Sequence, residues 1–142
     1  MTEKEIQKTL EDYARAYCAK DIDALMQVFD DTDNISVIGT GANELCVGQE
    51  AIRELFLRNF RDASAKHFEW GWIDTRISGK QAVVSVKFTL HLEYEGKELK
   101  VSLRWTVVLR DEGNRWVWVH RHASTAAENQ EEGQAYPKES EK

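Results

Sequence analysis

The run Trp116-Val117-Trp118-Val119-His120-Arg121-His122-Ala123-Ser124 holds the side chains best suited to chemistry. At the two-residue period of a strand, Trp116, Trp118, His120, His122 and Ser124 share one face, which passes from aromatic to titratable. Imidazole exchanges protons near neutrality, so His120 and His122 are candidate ligand contacts and His122 a candidate acid or base. The plainer role is a histidine that satisfies a hydrogen bond at a strand end. Glu69 is the second acid–base candidate, because it shares parity with Gly71 and Ile73. Turned inward among apolar neighbours its pKa would rise, whereas a shift of register would make it an ordinary surface residue. Trp105 and Trp118 offer an aromatic pocket wall, with core packing the competing role, above all for Trp118. Tyr17 and Tyr13 lie on one helical stripe, from which either hydroxyl would reach the pocket. Glu44 follows the hook Gly39-Thr40-Gly41, where bracing the loop is its plain role.

Other chemistries lack carriers. Two histidines one residue apart suggest a metal, but no third His, Cys or carboxylate stands at clear ligand spacing, so no metal is assigned. No phosphate-cradling glycine loop or nucleophile elbow occurs, and no cofactor is expected. Cys18 and Cys46 are too few for a disulfide framework and read as reduced thiols.

These residues need a scaffold, and 142 residues with 42% hydrophobic and 31% charged side chains suffice for one globular domain. The formal net charge of -6 argues against nucleic acid, whose binders carry a basic surplus. No apolar run reaches membrane-spanning length and no apolar segment follows Met1, so a cytoplasmic protein without a membrane partner is expected.

Thr2 and Glu5 form a capping box before a helix whose buried stripe is Ile6, Leu10, Tyr13, Ala14 and Tyr17. Asp21 caps a second helix burying Ile22, Leu25, Met26 and Phe29. Short strands follow at 35–38 and 45–47, then a third helix carrying Ala51, Ile52, Leu55, Phe56 and Phe60. From there to Ser124 the chain reads as strands joined at Ser78-Gly79-Lys80, Glu95-Gly96 and Glu112-Gly113. Residues 126–142 form an acidic tail with the single proline, Pro137, and are expected to be flexible.

Strand register decides which residues meet. A Glu95-Gly96 turn pairs Leu92 with Leu99, Leu90 with Val101, Phe88 with Leu103, Val86 with Trp105 and Val84 with Val107, all apolar. A four-residue turn from Asp111 to Asn114 would pair Leu109 with Trp116, Trp105 with His120 and Leu103 with His122. Both histidines then lie on the inner face. The outer face would carry Lys87, Arg104 and Arg121 in one row, whose repulsion needs relief. A simple turn at Ser78-Gly79-Lys80 puts Trp72 near Lys87, although Gly71 invites a bulge there.

The order of three helices and then a long antiparallel sheet is an α+β layer pattern. With Ala19-Lys20-Asp21-Ile22-Asp23-Ala24-Leu25, the hook from Ile38 to Gly48, the strand 103–109 and the closing 116–124 segment, residues 2–125 resemble the SnoaL-like branch of the NTF2-like (cystatin-like, ketosteroid-isomerase-like) superfamily. The resemblance implies a conical α+β barrel with an internal pocket and a homodimer joined through the sheet. Lys87, Arg104, Arg121, Trp70 and Trp72 are the expected dimer surface. It does not imply catalysis, and the carboxylate base and oxyanion donors of an isomerase have no counterparts here. The favoured reading is a binding domain for a small apolar molecule with one polar group, contacting His120, His122, Trp105, Trp118, Tyr17 and Glu69. The alternatives are a cofactor-independent isomerase, cyclase or hydratase using His122 or Glu69, and a non-catalytic dimeric association module.

Overall fold

The computed structural model describes residues 2–139. Helix α1 (Glu3–Ala19) starts at the predicted capping box, in which the Glu5 amide donates to Thr2 Oγ1 at 3.3 Å and the Thr2 amide to Glu5 Oε1 at 3.0 Å. It buries Ile6, Leu10, Tyr13 and Ala16 and stops at Lys20, which takes a left-handed conformation. Asp21 caps α2 (Ile22–Gln27) by accepting the Ala24 amide. Strands β1 (Ser36–Ile38) and β2 (Leu45–Val47) lead to α3 (Gln49–Asp62). Gly48 has no side chain with which to cap α3, and Asp33 accepts the Gln49 amide instead.

The remaining strands are β3 (Ser64–Ser78), β4 (Gln81–Tyr94), β5 (Lys97–Asp111) and β6 (Trp116–Ser124). They join one curved, unclosed six-stranded sheet in the order β2-β1-β6-β5-β4-β3. Every pairing is antiparallel except β1 with β6, so the sheet is mixed where an antiparallel one was expected. The parallel pair arises because the chain enters β1 from α2, beside Trp118. The Trp118 amide donates to Val28 O, and the Asp30 amide donates to Trp118 O. Helix α1 packs on both β3 and β6, so the inner face wraps around it. Phe29, Phe56 and Trp118 are fully buried between the layers. Burial of each such side chain contributes about 1.5–3 kcal/mol. Beyond β6, residues 125–139 contain no helix or strand, and the last three residues of the acidic tail, 140–142, lie outside the described residues.

The β4–β5 register is the predicted one, including Val86 with Trp105 and Lys87 with Arg104. The β5–β6 register is not. The turn lies one residue later, so that Asp111 pairs with Trp116 and Leu109 with Trp118. A bulge then inserts Val119, after which Val108 meets His120, Val107 meets Arg121 and Trp105 meets Ala123. One extra residue reverses the facing of all that follow. Arg121 and Ala123 therefore point inward, and His120 and His122 outward. A second bulge sets Gly71 and Trp72 against Lys87 alone, between the Trp70–Phe88 and Ile73–Val86 pairs. Trp70 consequently faces inward and Trp72 outward, where a simple alternation would put both outside.

Candidate functional site

Between the helices and the inner sheet face lies a cavity of about 270 Å³. Helix α1 contributes Tyr13 and Tyr17, and α3 contributes Leu55 and Asn59. The sheet supplies Phe68, Phe88, Leu90, Trp105, Arg121 and Ala123. Tyr13 holds the aromatic wall together, stacking on Tyr17 (5.7 Å between centroids) and on Trp118 (4.9 Å), with the edge of Trp105 at 4.9 Å. Of the expected ligand contacts, Tyr17 and Trp105 line this cavity. Trp118 is wholly buried behind Tyr13 as core, its indole N–H donating to Thr9 Oγ1.

Thr40, Glu44, Asn59 and Asp62 also line the cavity, and its one buried charged side chain is Arg121, 6% exposed. Its Nη1 donates to the Tyr13 hydroxyl at 2.8 Å, and its guanidinium lies over Trp105 (5.6 Å) and Phe56 (5.9 Å). Its Nε–H is buried without a partner, and no carboxylate among the described residues pairs with it. Cation–π contacts and one hydroxyl offset only part of the desolvation of a buried cation. Burial pushes the Tyr13 and Tyr17 hydroxyls above their ordinary pKa, so both are neutral donors or acceptors at pH 7. Unbroken alternation from Trp116 places Arg121 on the outer face instead. The run 116–119 is apolar at every position and gave no phase from which to see the bulge. Ala123, a small apolar residue two positions after Arg121, was the available signal.

The expected acid–base residues lie elsewhere. His120 Nδ1 is 2.7 Å from Ser36 Oγ across the parallel pair, on the outer face. Burial, then the nearby His122, lowers its pKa. His122 is exposed beside Ile38 and Thr106. Glu69 is exposed on the outer face rather than inward, and its hydrogen-bond partner His91 (2.7 Å) holds its carboxyl below the usual range instead of raising it. The imidazoles of His67 and His91 stack at 4.0 Å beside it, so two histidines and a carboxylate converge where the sequence offered no metal cluster.

On the outer face Lys87 and Arg104 stand side by side as expected, with Trp72 bordering the same depression. Arg121 and Trp70 are absent from it. Arg121 lies in the cavity, and Trp70 packs against Phe88 and Trp105. Glu44 braces its loop by accepting the Gly41 amide and pairing with Arg58 at 2.7 Å. A Cβ at Gly39 or Gly41 would overlap the Glu44 side chain, which explains the glycines of the hook. A wider groove of about 570 Å³ runs between α1, α2 and the β5–β6 turn. Its Lys8, Asp12 and Arg15 pair with one another, and the unpartnered buried polar atom there is the Trp116 indole Nε1, a neutral donor where the inner cavity presents a charged one.

A helical layer over a curved sheet, with a cavity at their junction, defines the NTF2-like class of α+β cones. Residues 6–128 match the family model of the SnoaL-like domain, and the chain belongs to that family. Among solved structures it is similar to a provisionally assigned calcium/calmodulin-dependent protein kinase II association domain from Xanthomonas campestris, at 18% identity and a TM-score of 0.79, with 90% of each chain covered. It is also similar to an NTF2-like protein of unknown function from Pseudomonas putida KT2440, at 20% identity and a TM-score of 0.72, over 86% of this chain and 84% of that one. An uncharacterised protein with a cystatin-like fold from Caulobacter vibrioides matches at 16% identity and a TM-score of 0.70, over 88% and 89%. At such identities the likeness establishes the fold. No curated protein matches the sequence. No helix among the described residues is long and apolar enough to cross a membrane.

Proposed function

We propose that this SnoaL-like domain binds a small, largely apolar molecule carrying one anionic group. The observation that carries the reading is Arg121, a buried guanidinium with an unpaired Nε–H at the wall of an aromatic cavity. A carboxylate there would supply the missing acceptor and the missing counter-charge together. The volume, about 270 Å³, sits just below the roughly 300–1,000 Å³ of drug-sized sites and suits one ring or a short chain. Tyr17 and Trp105 would pack against the apolar body. His122 and Glu69 do not line the cavity, which weighs against an acid–base reaction through either of them.

Thermal shift with phenylacetate, indole-3-acetate and octanoate, each against its neutral amide, tests the reading. The acids raise Tm, the amides do not, and Arg121→Met removes the difference. Equal shifts for acid and amide, or acid binding retained in Arg121→Met, would overturn it.

The same reading includes a homodimer through the outer sheet face, supported by the exposed Leu45, Val47 and Trp72 there. A cytoplasmic setting is supported by the two free thiols, Cys18 and Cys46.

A further inference from the structure

We propose that His67, Glu69 and His91 form a binding site for a first-row divalent metal ion, of the zinc, nickel or cobalt kind, on the outer face of the sheet. The site is distinct from the cone, which opens on the opposite face. Its assembly depends on backbone irregularity. Between Ala65–Leu92 and His67–His91 the strand β3 carries one extra residue, Lys66, and this sets the two histidines directly opposite each other. Their rings lie nearly parallel, 11° apart in plane and 4.0 Å between centroids. Glu69 follows His67 on the same face at the strand period and brings Oε1 to 2.7 Å from His91 Nε2. One ligand atom from each of the three falls within 4.8 Å of the others.

The donor set determines which ion fits. Two imidazole nitrogens and one carboxylate oxygen suit zinc and its neighbours, whereas magnesium and calcium prefer all-oxygen shells. Tetrahedral coordination with bonds of about 2.0–2.1 Å needs ligand atoms about 3.3 Å apart. The two rings must rotate out of their stack to aim both lone pairs at one ion, and the exposure of His67 and Glu69 leaves space for that rotation. The ion takes the place of the hydrogen bond between His91 and Glu69. Three protein ligands leave a fourth position for water, as in open zinc sites. Lys100, opposite His91 on β5, opposes the cation.

Calorimetric titration of the untagged, chelator-treated chain with ZnCl2 and with NiCl2 tests the proposal. One ion binds per chain. His67→Asn, Glu69→Gln and His91→Asn each weaken binding at least tenfold with unchanged circular dichroism, and Lys100→Gln tightens it. Arg121→Met leaves metal binding intact, so failure of the pocket reading and failure of this one are distinguishable. Absence of binding heat for both metals, or binding that survives His67→Asn and His91→Asn but disappears in His120→Asn, would overturn the assignment.

Discussion

A single guanidinium shows how residue-scale energetics point to function. Arg121 is buried with one hydroxyl partner and no carboxylate, an arrangement that does not favour stability. Arg121→Met should therefore leave Tm unchanged or raise it. The relieved desolvation offsets the loss of about 1 kcal/mol from the Tyr13 hydrogen bond. Scanning calorimetry checks this, and a large fall in Tm would mean that the arginine is structural. His120 makes a second residue-scale case. Burial lowers its folded pKa beneath the unfolded value of about 6.5, so the unfolded chain takes up the proton first. Its contribution to stability is complete above that value and declines as pH falls below it, through the folded pKa. Urea unfolding at pH 7.5 and 5.5 should show a loss of stability at the lower pH that is smaller in His120→Asn. An equal loss in both proteins would remove His120 as its source.

Strand bulges are the elements that distribute these side chains. Val119 turns Arg121 into the cone and both carboxy-terminal histidines out of it. The irregularity at Gly71 and Trp72 separates two tryptophans that alternation would place together. Gly71 is favoured there because a Cβ would come to 3.0 Å from the Lys87 carbonyl oxygen, a backbone atom that would have to give by a few tenths of an ångström. Gly71→Ala should destabilise the fold by about 1–3 kcal/mol, the usual range for overpacking. Chemical denaturation measures it, and a cost within experimental error would show that β3 shifts freely at this point.

For the whole molecule, the sheet has two faces with different duties. The inner face and the helices make the core and the cavity. The outer face leaves Leu45 and Val47, on the edge strand β2, and Trp72, on the opposite edge strand β3, at 70%, 74% and 63% exposure. With dimerisation through this face, Trp72→Glu should weaken self-association at least tenfold, read by sedimentation velocity across a concentration series. An unchanged profile, or a monomeric wild type, would reject that surface.

The amino-acid sequence alone determined the three helices and the caps of the first two, the β4–β5 hairpin and the SnoaL-like cone. Capping boxes, helical stripes and tight turns are local, and the pairing of Leu90 with Val101 or Val86 with Trp105 follows from a turn that keeps every pair apolar. Tyr17 and Trp105 were recognisable as cavity residues for the same reason. Tertiary structure decided the polar chemistry. The facing of Arg121, His120 and His122 depends on one inserted valine within a stretch buried on both sides, where Val117 and Trp118 are equally inaccessible and no alternation marks the phase. His67 meets His91 only through an unpaired residue in β3. A bulge is fixed by what packs above and below the strand, and that contact is made between segments far apart in the chain.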